Sequence, residues 1–344
     1  MQDNDLFADA ARELLRDQCT PQVVRAIEGG GSPQALWTWL EEGGFADALV
    51  PEDQGGIGLS LAQVFGVWEL CGAHALPVPL AETMVARALL AQAGAPCPAG
   101  TIALAEGRLE ADGALRCAEV RLGRVADSVL VQHAGGWQLM PVAKAASEPL
   151  AFCLDATLRW APSQVVLAPV LRPGLPEGVD LRTLQACLTA ALLAGALMDV
   201  FQRTLQYANE RNQFGRAIGK FQAIQHQLAV MSEHVFAARM AAQLGCAGDG
   251  LFPDRLRVAI AKSRCSAAAL AVAETGHAIH GAIGFTEEYD LQLFTRRLHA
   301  WRQSAGSESW WHAVAGQALV DGHAGLTLDL LRRATDVAEE ATAE

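Results

Sequence analysis

Apolar residues from Leu6 to about Leu90 recur at helical spacing in short stretches broken by proline and glycine, a pattern that predicts short amphipathic helices. Ala35–Glu42, Leu59–Cys71 and Glu82–Gln92 are three of them, and Val50-Pro51-Glu52-Asp53-Gln54-Gly55-Gly56-Ile57-Gly58 is a glycine-rich loop between the first two. The period changes after Pro96–Gly100. From Thr101 to about Val170, β-branched and apolar residues cluster or alternate in short runs: Thr101–Ala105, Ser128–Gln132, Trp137–Pro141 and Gln164–Ala168. Asp112-Gly113 and Gly135-Gly136 punctuate them, which predicts a small antiparallel sheet closed by Pro173–Pro176. Helical spacing then returns. Leu184, Leu188, Ala191, Gly195 and Met198 form one stripe, and Phe221, Ile224, Leu228, Met231 and Val235 another. A third helix runs from about Pro253, read as a first-turn proline, to His280. Small residues such as Ala190, Ala194, Ala268 and Ala271 let helix axes approach as in a bundle. The predicted fold class is mainly α with a small β domain: an N-terminal helical domain over 1–95, a short antiparallel β-sheet domain over 96–175, and a C-terminal four-helix bundle over 176–344. No internal repeat is visible.

Composition narrows the function classes. The 344 residues are 51% hydrophobic and 19% charged, enough apolar material for a core. A formal net charge of −12 argues against nonspecific nucleic-acid binding, which needs clustered Lys and Arg. A phosphate-bearing ligand therefore requires a local basic site working against the global field. The longest apolar stretch, Ala186 to Val200, is shorter than the roughly 20 residues of a membrane span. No basic-then-apolar leader opens the chain, so a cytoplasmic protein is expected. Eight scattered cysteines without a CxxC pair point to buried thiols rather than zinc or disulfides.

Two strings carry chemistry. Tyr207-Ala208-Asn209-Glu210-Arg211-Asn212-Gln213-Phe214-Gly215 leads into Phe221-Gln222-Ala223-Ile224-Gln225. It puts Arg211 and Gln213 at a helix end and Gln222 near the next helix N-terminus, where an arginine fork and a helix dipole suit phosphate. Pairing of Arg211 with Glu210 is the competing explanation. The second string is His280-Gly281-Ala282-Ile283-Gly284-Phe285-Thr286-Glu287-Glu288-Tyr289, followed by Arg296-Arg297 and Gly306-Ser307-Glu308. Its glycines permit close backbone approach to a ligand, or serve as a plain helix C-cap.

Together these strings resemble the acyl-CoA dehydrogenase family, whose members carry R-x-x-F-G, then F-Q-x-x-Q, then H-G-G-x-G-F-x-x-E-Y, in a helix–sheet–helix order. Pro51–Gly58 matches the family's P-E-x-x-G-G-x-G loop. The resemblance implies oxidation of an acyl-CoA thioester to the enoyl-CoA, a carboxylate taking the α-proton while hydride passes to FAD. It implies FAD contacts at Arg211, Gln213, Phe214 and Gln222, with Gly281 and Ala282 nearby. It also implies a homo- or hetero-oligomer with FAD across a subunit interface, and an electron-transfer flavoprotein or similar acceptor. Arg296 and Arg302, grouped with Arg297, are candidates for CoA phosphates or for pairing with acidic helices.

Three departures stand out. The family's base position, nine residues after Arg296, is Ala305; the alternative position on the helix before R-x-x-F-G falls at about Gln185. Glu308 is the nearest substitute base, or else a first-turn glutamate favoured by the helix dipole. The family's T-E-P-x-x-G-S-D segment is missing after Thr101–Ala105, and its flavin-packing W-[IS]-[TS] strand is not visible near Val120–Val125. Finally, Ala278 and Ala282 replace a glutamine and a glycine. His280 and His226 read as structural. Trp301, Trp310 and Trp311 read as packing residues or as an aromatic wall for a ring-bearing acyl group. Four functions remain open: a complete acyl-CoA dehydrogenase, a base-deficient subunit of a heteromeric one, a helical scaffold without flavin, and a flavin monooxygenase or nitroalkane-type oxidase on the same fold.

Overall fold

The computed structural model describes residues 2–152, 154–321 and 326–335, so Cys153 lies outside the described residues. The chain divides into two compact units, Met1–Gln185 and Ala186–Glu344. The first two predicted domains thus share one unit.

In the first unit, helices α1 (Gln2–Gln18), α2 (Pro21–Glu28), α3 (Gln34–Glu42), α4 (Leu61–Ala73) and α5 (Leu80–Gln92) precede the sheet region. Local chemistry sets the starts: the Thr20 hydroxyl accepts from Val23 N, and Ser60 and Gln63 form a capping box. Every α5 residue from Leu80 to Leu90 is buried, Glu82 and Arg87 included. A charged side chain stays buried only with partners. Arg87 donates to both Asp47 carboxylate oxygens at 3.0 Å and to the Gly100 carbonyl at 3.0 Å, and pairs with Glu41.

Strands β1 (Ile102–Glu106), β2 (Arg108–Leu109), β3 (Leu115–Val120), β4 (Ser128–His133), β5 (Gly136–Pro141), β6 (Ala146–Pro149) and β7 (Ala156–Trp160) form two sheets, ordered β1-β4-β5 and β2-β3-β7-β6. Leu115, Cys117, Val129, Val131, Leu158 and Trp160 share a core cluster. All pairings in these sheets are antiparallel except β1 with β4, which is parallel, with Ile102 opposite Ser128. The chain passes through β2 and β3 between them, a crossover long enough for parallel pairing. Gln164–Ala168, expected as a strand, falls largely in helix α6 (Pro162–Leu167). Pro162 stands in its first turn, and so short an apolar run does not distinguish strand from helix by period.

Helix α7 (Leu181–Glu210) leads into the second unit. It is long and apolar enough to cross a membrane, but 78% of its most apolar window is buried within the protein. A small hairpin, β8 (Asn212–Gln213) and β9 (Arg216–Ala217), precedes α8 (Gln222–Gly245), α9 (Arg255–His280), α10 (Leu291–Gln303), α11 (Glu308–Asp321) and α12 (Thr327–Thr335). Helix α9 packs on α8, α10 and α11. A Cβ on Gly245 would come within 2.7 Å of the Ala261 Cβ, so small residues do bring α8 and α9 close. Pro253 is not a first-turn residue. Asp254 caps α9, its carboxylate accepting from Arg257 N at 2.8 Å, and the proline precedes the cap.

Candidate functional site

The two motif strings meet at one end of the second unit. Helix α7 carries Tyr207 one turn before its end, and the phenol ring stacks on His280 at 4.4 Å between centroids. Its hydroxyl donates to the His280 carbonyl at 3.4 Å, while Tyr289 lies edge-on at 6.3 Å. The Nδ1–H of His280 donates to the Gly276 carbonyl at 2.8 Å. Burial holds the imidazole pKa below its ordinary value, which favours the neutral, structural role expected of it. His226, by contrast, is exposed on the first turns of α8.

Beyond Tyr207, the β8–β9 hairpin turns through Phe214 (φ +53°) and Gly215 (φ +84°). Positive φ at both central residues matches the twist of a tight hairpin, and for a phenylalanine it costs about 1–2 kcal/mol. The Phe214 ring is 91% exposed, and the Arg216 guanidinium sits 4.2 Å over the neighbouring Phe221 ring. Arg211, Gln213 and Gln222 are exposed around this turn. Glu210, the competing partner of Arg211, instead accepts from Gln206 at 2.8 Å. Across from them, Gly281 has φ +64°, and a Cβ built on it meets nothing within 4 Å. Ala282 beside it is exposed. Arg211, Gln213, Phe214, Gln222, Gly281 and Ala282 thus stand on two exposed turns joined through Tyr207 and His280. Donor-rich, uncovered turns of this kind fit a dinucleotide's phosphates and adenosine.

The turn at the family's base position is built differently. Ala305 (φ +55°) and Gly306 (φ +98°) are both left-handed. A Cβ on Gly306 would lie 2.8 Å from the Trp311 indole nitrogen, which donates to the Ala305 carbonyl at 2.9 Å. Glu308 opens α11 and pairs with Arg302, the two side chains about one-fifth exposed. Burial alone would push this carboxyl up. The backbone N–H at the helix start, Arg302 and the charge of Lys262 outweigh it and hold the carboxyl below the ordinary glutamate range. These contacts match a first-turn glutamate whose carboxylate its partners hold ionised. Gln185 is also engaged, donating to the Leu104 carbonyl at 2.9 Å.

Arg296, Arg297 and Arg302 do not form one cluster. At about 100° per residue they point to different sides of α10. Arg296 is exposed, Arg297 is 1% exposed within the core, and Arg302 holds Glu308. Trp301 and Trp311 are core residues at 5% and 0% exposure, so they wall no open pocket. Trp310 is half-buried, with the Arg255 guanidinium 5.6 Å from its ring.

The Val120–Val125 segment is a turn leaving β3 rather than a strand. Leu122 has φ +57°, its N–H donates to Asp155 at 2.9 Å, and Arg121 is buried against Glu82, with Nε donating at 2.8 Å. Neither this ion pair nor Lys262, which lies beneath the Ala305 turn, was singled out from the sequence. A lysine directly after the apolar run Val258–Ala261 was the available signal.

A helix-and-sheet unit followed along the chain by a helical unit is the order that the family resemblance leads one to expect, and the comparisons agree. The acyl-CoA dehydrogenase C-terminal domain family matches residues 183–317 and the N-terminal domain family residues 1–96. The acyl-CoA dehydrogenase IpdE2 of Mycobacterium tuberculosis is 31% identical over 301 residues, 87% of this chain and 91% of its own length. Among solved structures, the ChsE4–ChsE5 complex from Mycobacterium tuberculosis superposes with a TM-score of 0.81 at 21% identity, covering 93% of this chain and 98% of the other. The Tcur3481–Tcur3483 steroid acyl-CoA dehydrogenase gives 0.80 at 24% identity, covering 94% and 99%. The chain belongs to the acyl-CoA dehydrogenase family.

Proposed function

We propose that this chain is the base-deficient subunit of an oligomeric, flavin-dependent acyl-CoA dehydrogenase. It holds the adenosine-diphosphate part of FAD, and a carboxylate of a second chain takes the α-proton of the acyl thioester. The observation that carries this reading is the 304–307 turn. Its non-glycine left-handed residue is Ala305, and Glu308, three residues further on, is tied to Arg302.

When bound, FAD supplies the acceptor for the β-hydride. The chain's own part is binding and orientation. The exposed Arg211 fork suits two phosphate oxygens, a local positive site in a protein of net charge −12. Gln213 and Gln222 supply amide donors, Phe214 offers an aromatic face, and Gly281 and Ala282 allow close backbone approach. In the first unit, the inward-turned Arg121 and the passage from β1 straight into β2 support assigning the flavin-ring cradle to the partner. IpdE2 is named an acyl-CoA dehydrogenase, which supports the activity, and ChsE4–ChsE5 is a complex of two differently named chains, which supports a heteromer. Reducing equivalents then pass to an electron-transfer flavoprotein or a similar acceptor.

The test is purification of the chain alone and together with a second, base-bearing acyl-CoA dehydrogenase chain. Flavin is followed by its visible absorption and challenged with acyl-CoAs. The pair is expected to be yellow and to bleach with substrate. Substrate-driven bleaching of this chain by itself would overturn the assignment of the base to another chain.

A further inference from the structure

Lys262 is 0% exposed, in the middle of α9. Its ammonium donates to three acceptors: Ser266 Oγ at 2.9 Å, the Arg302 carbonyl at 3.0 Å and the Gly306 carbonyl at 2.9 Å. The two carbonyls bracket Ala305, and Trp311 Nε1 holds the carbonyl of Ala305 itself. Three main-chain oxygens in five residues are thereby fixed by side chains from α9 and α11. Left-handed backbone at an alanine is unfavourable and persists only where its surroundings over-determine it. A buried cation is a costly way to pin a turn that a glycine and a neutral donor would hold. Left-handed backbone and a buried charge thus both occur at a residue that carries no functional group.

We propose that Lys262 is the positioning residue of this turn: its buried charge and three hydrogen bonds keep the 302–306 main chain in a shape that seats a carboxylate at position 305. The deficiency of this subunit is then a single side chain, set on a scaffold that is otherwise intact. This inference rests on the reading of the turn as the family's base position, yet it is tested without any turnover. Lys262 and Arg255 of α9, Arg302 of α10 and Glu308 of α11 lie near the turn, and three of these four are cations.

The experiment uses the full chain with Ala305→Glu, alone and combined with Lys262→Gln, which keeps an amide donor while removing the charge. Glutamate-labelled protein is followed by carbon NMR, and the new resonance is assigned by difference from the parent. The introduced carboxylate is expected to titrate below free glutamate, and its ionisation constant to weaken by about tenfold or more when Lys262 becomes Gln. Identical titration in the two backgrounds, or titration above free glutamate with Lys262 present, would overturn the proposal. A lysine whose charge does not reach position 305 would leave the titration alone. If Lys262→Gln does not fold, Glu308→Gln added to Ala305→Glu gives the second reading. Removing the competing acid should acidify the introduced group further, and no change or a rise counts against the seat.

Discussion

The Glu82–Arg121 pair offers the sharpest check on how the first unit is held together. Glu82 stands in the first turn of α5 and Arg121 in the turn after β3; their side chains are 4% and 9% exposed. Little screening reaches such a pair, so deleting one partner leaves the other buried without its salt bridge, at about 3–5 kcal/mol. The two deletions should not be equal. Arginine cannot shed its charge, whereas a stranded carboxyl can take up a proton. Glu82→Leu is therefore expected to cost the full amount at pH 7. Arg121→Met should cost less, with the loss shrinking as pH is lowered. Replacing both with apolar side chains of similar volume should cost under about 1 kcal/mol or stabilise, because neither charge of the pair is then left buried without the other. Urea unfolding followed by tryptophan fluorescence reads each free energy, and the double-mutant cycle gives a coupling of several kcal/mol. Single-variant losses below about 1 kcal/mol, or a double variant as unstable as the sum of the singles, would refute the reasoning.

Other consequences are open to direct measurement. Arg211→Ala in the assembled enzyme should weaken FAD retention by about 10–100-fold, the worth of a charged hydrogen-bonding group, measured as flavin released on dilution; unchanged retention would remove Arg211 from the site. Glu308→Gln should leave turnover of the assembled enzyme within about threefold while lowering stability by about 1–3 kcal/mol at neutral pH. Its carboxyl is depressed in the folded state, so its contribution is present above the unfolded value near 4.3 and lost as pH falls through the folded value. Abolished turnover with unchanged stability would restore Glu308 as a base. Burial pushes Asp155 up to about 6, against the Leu122 N–H and the charge of Arg121. A raised folded value means its contribution is fully present below about pH 4 and lost as pH rises through 6, so Asp155→Asn should gain on the parent by up to about 2–3 kcal/mol between those limits. A flat difference in melting temperature across that window would contradict it.

Much of the architecture was legible because periodicity reports burial. The helices near Ala35–Glu42 and Glu82–Gln92 and the strands near Thr101–Ala105 and Ser128–Gln132 all carried their pattern locally. Where pattern was short, it failed: Gln164–Ala168 is largely helix, and the β1–β4 pairing is parallel, because strand partners are set by the path of the chain and not by the strand's own residues. The same division holds at the sites. The turns carrying Arg211, Phe214, Gln222 and Gly281 could be named from residue types that suit phosphate and from the family resemblance. Their junction through Tyr207 and His280 depends on where two helices end in space.

The sequence by itself determined the helix–sheet–helix plan, the family resemblance and the absence of a carboxylate at position 305, since each is written in residue identity and spacing. Only the tertiary structure decided that Glu308 answers Arg302, that the three arginines of α10 diverge, and that Lys262 lies beneath the turn. These are relations between side chains far apart in sequence or on different helix faces, and packing alone brings them within hydrogen-bond reach or holds them apart.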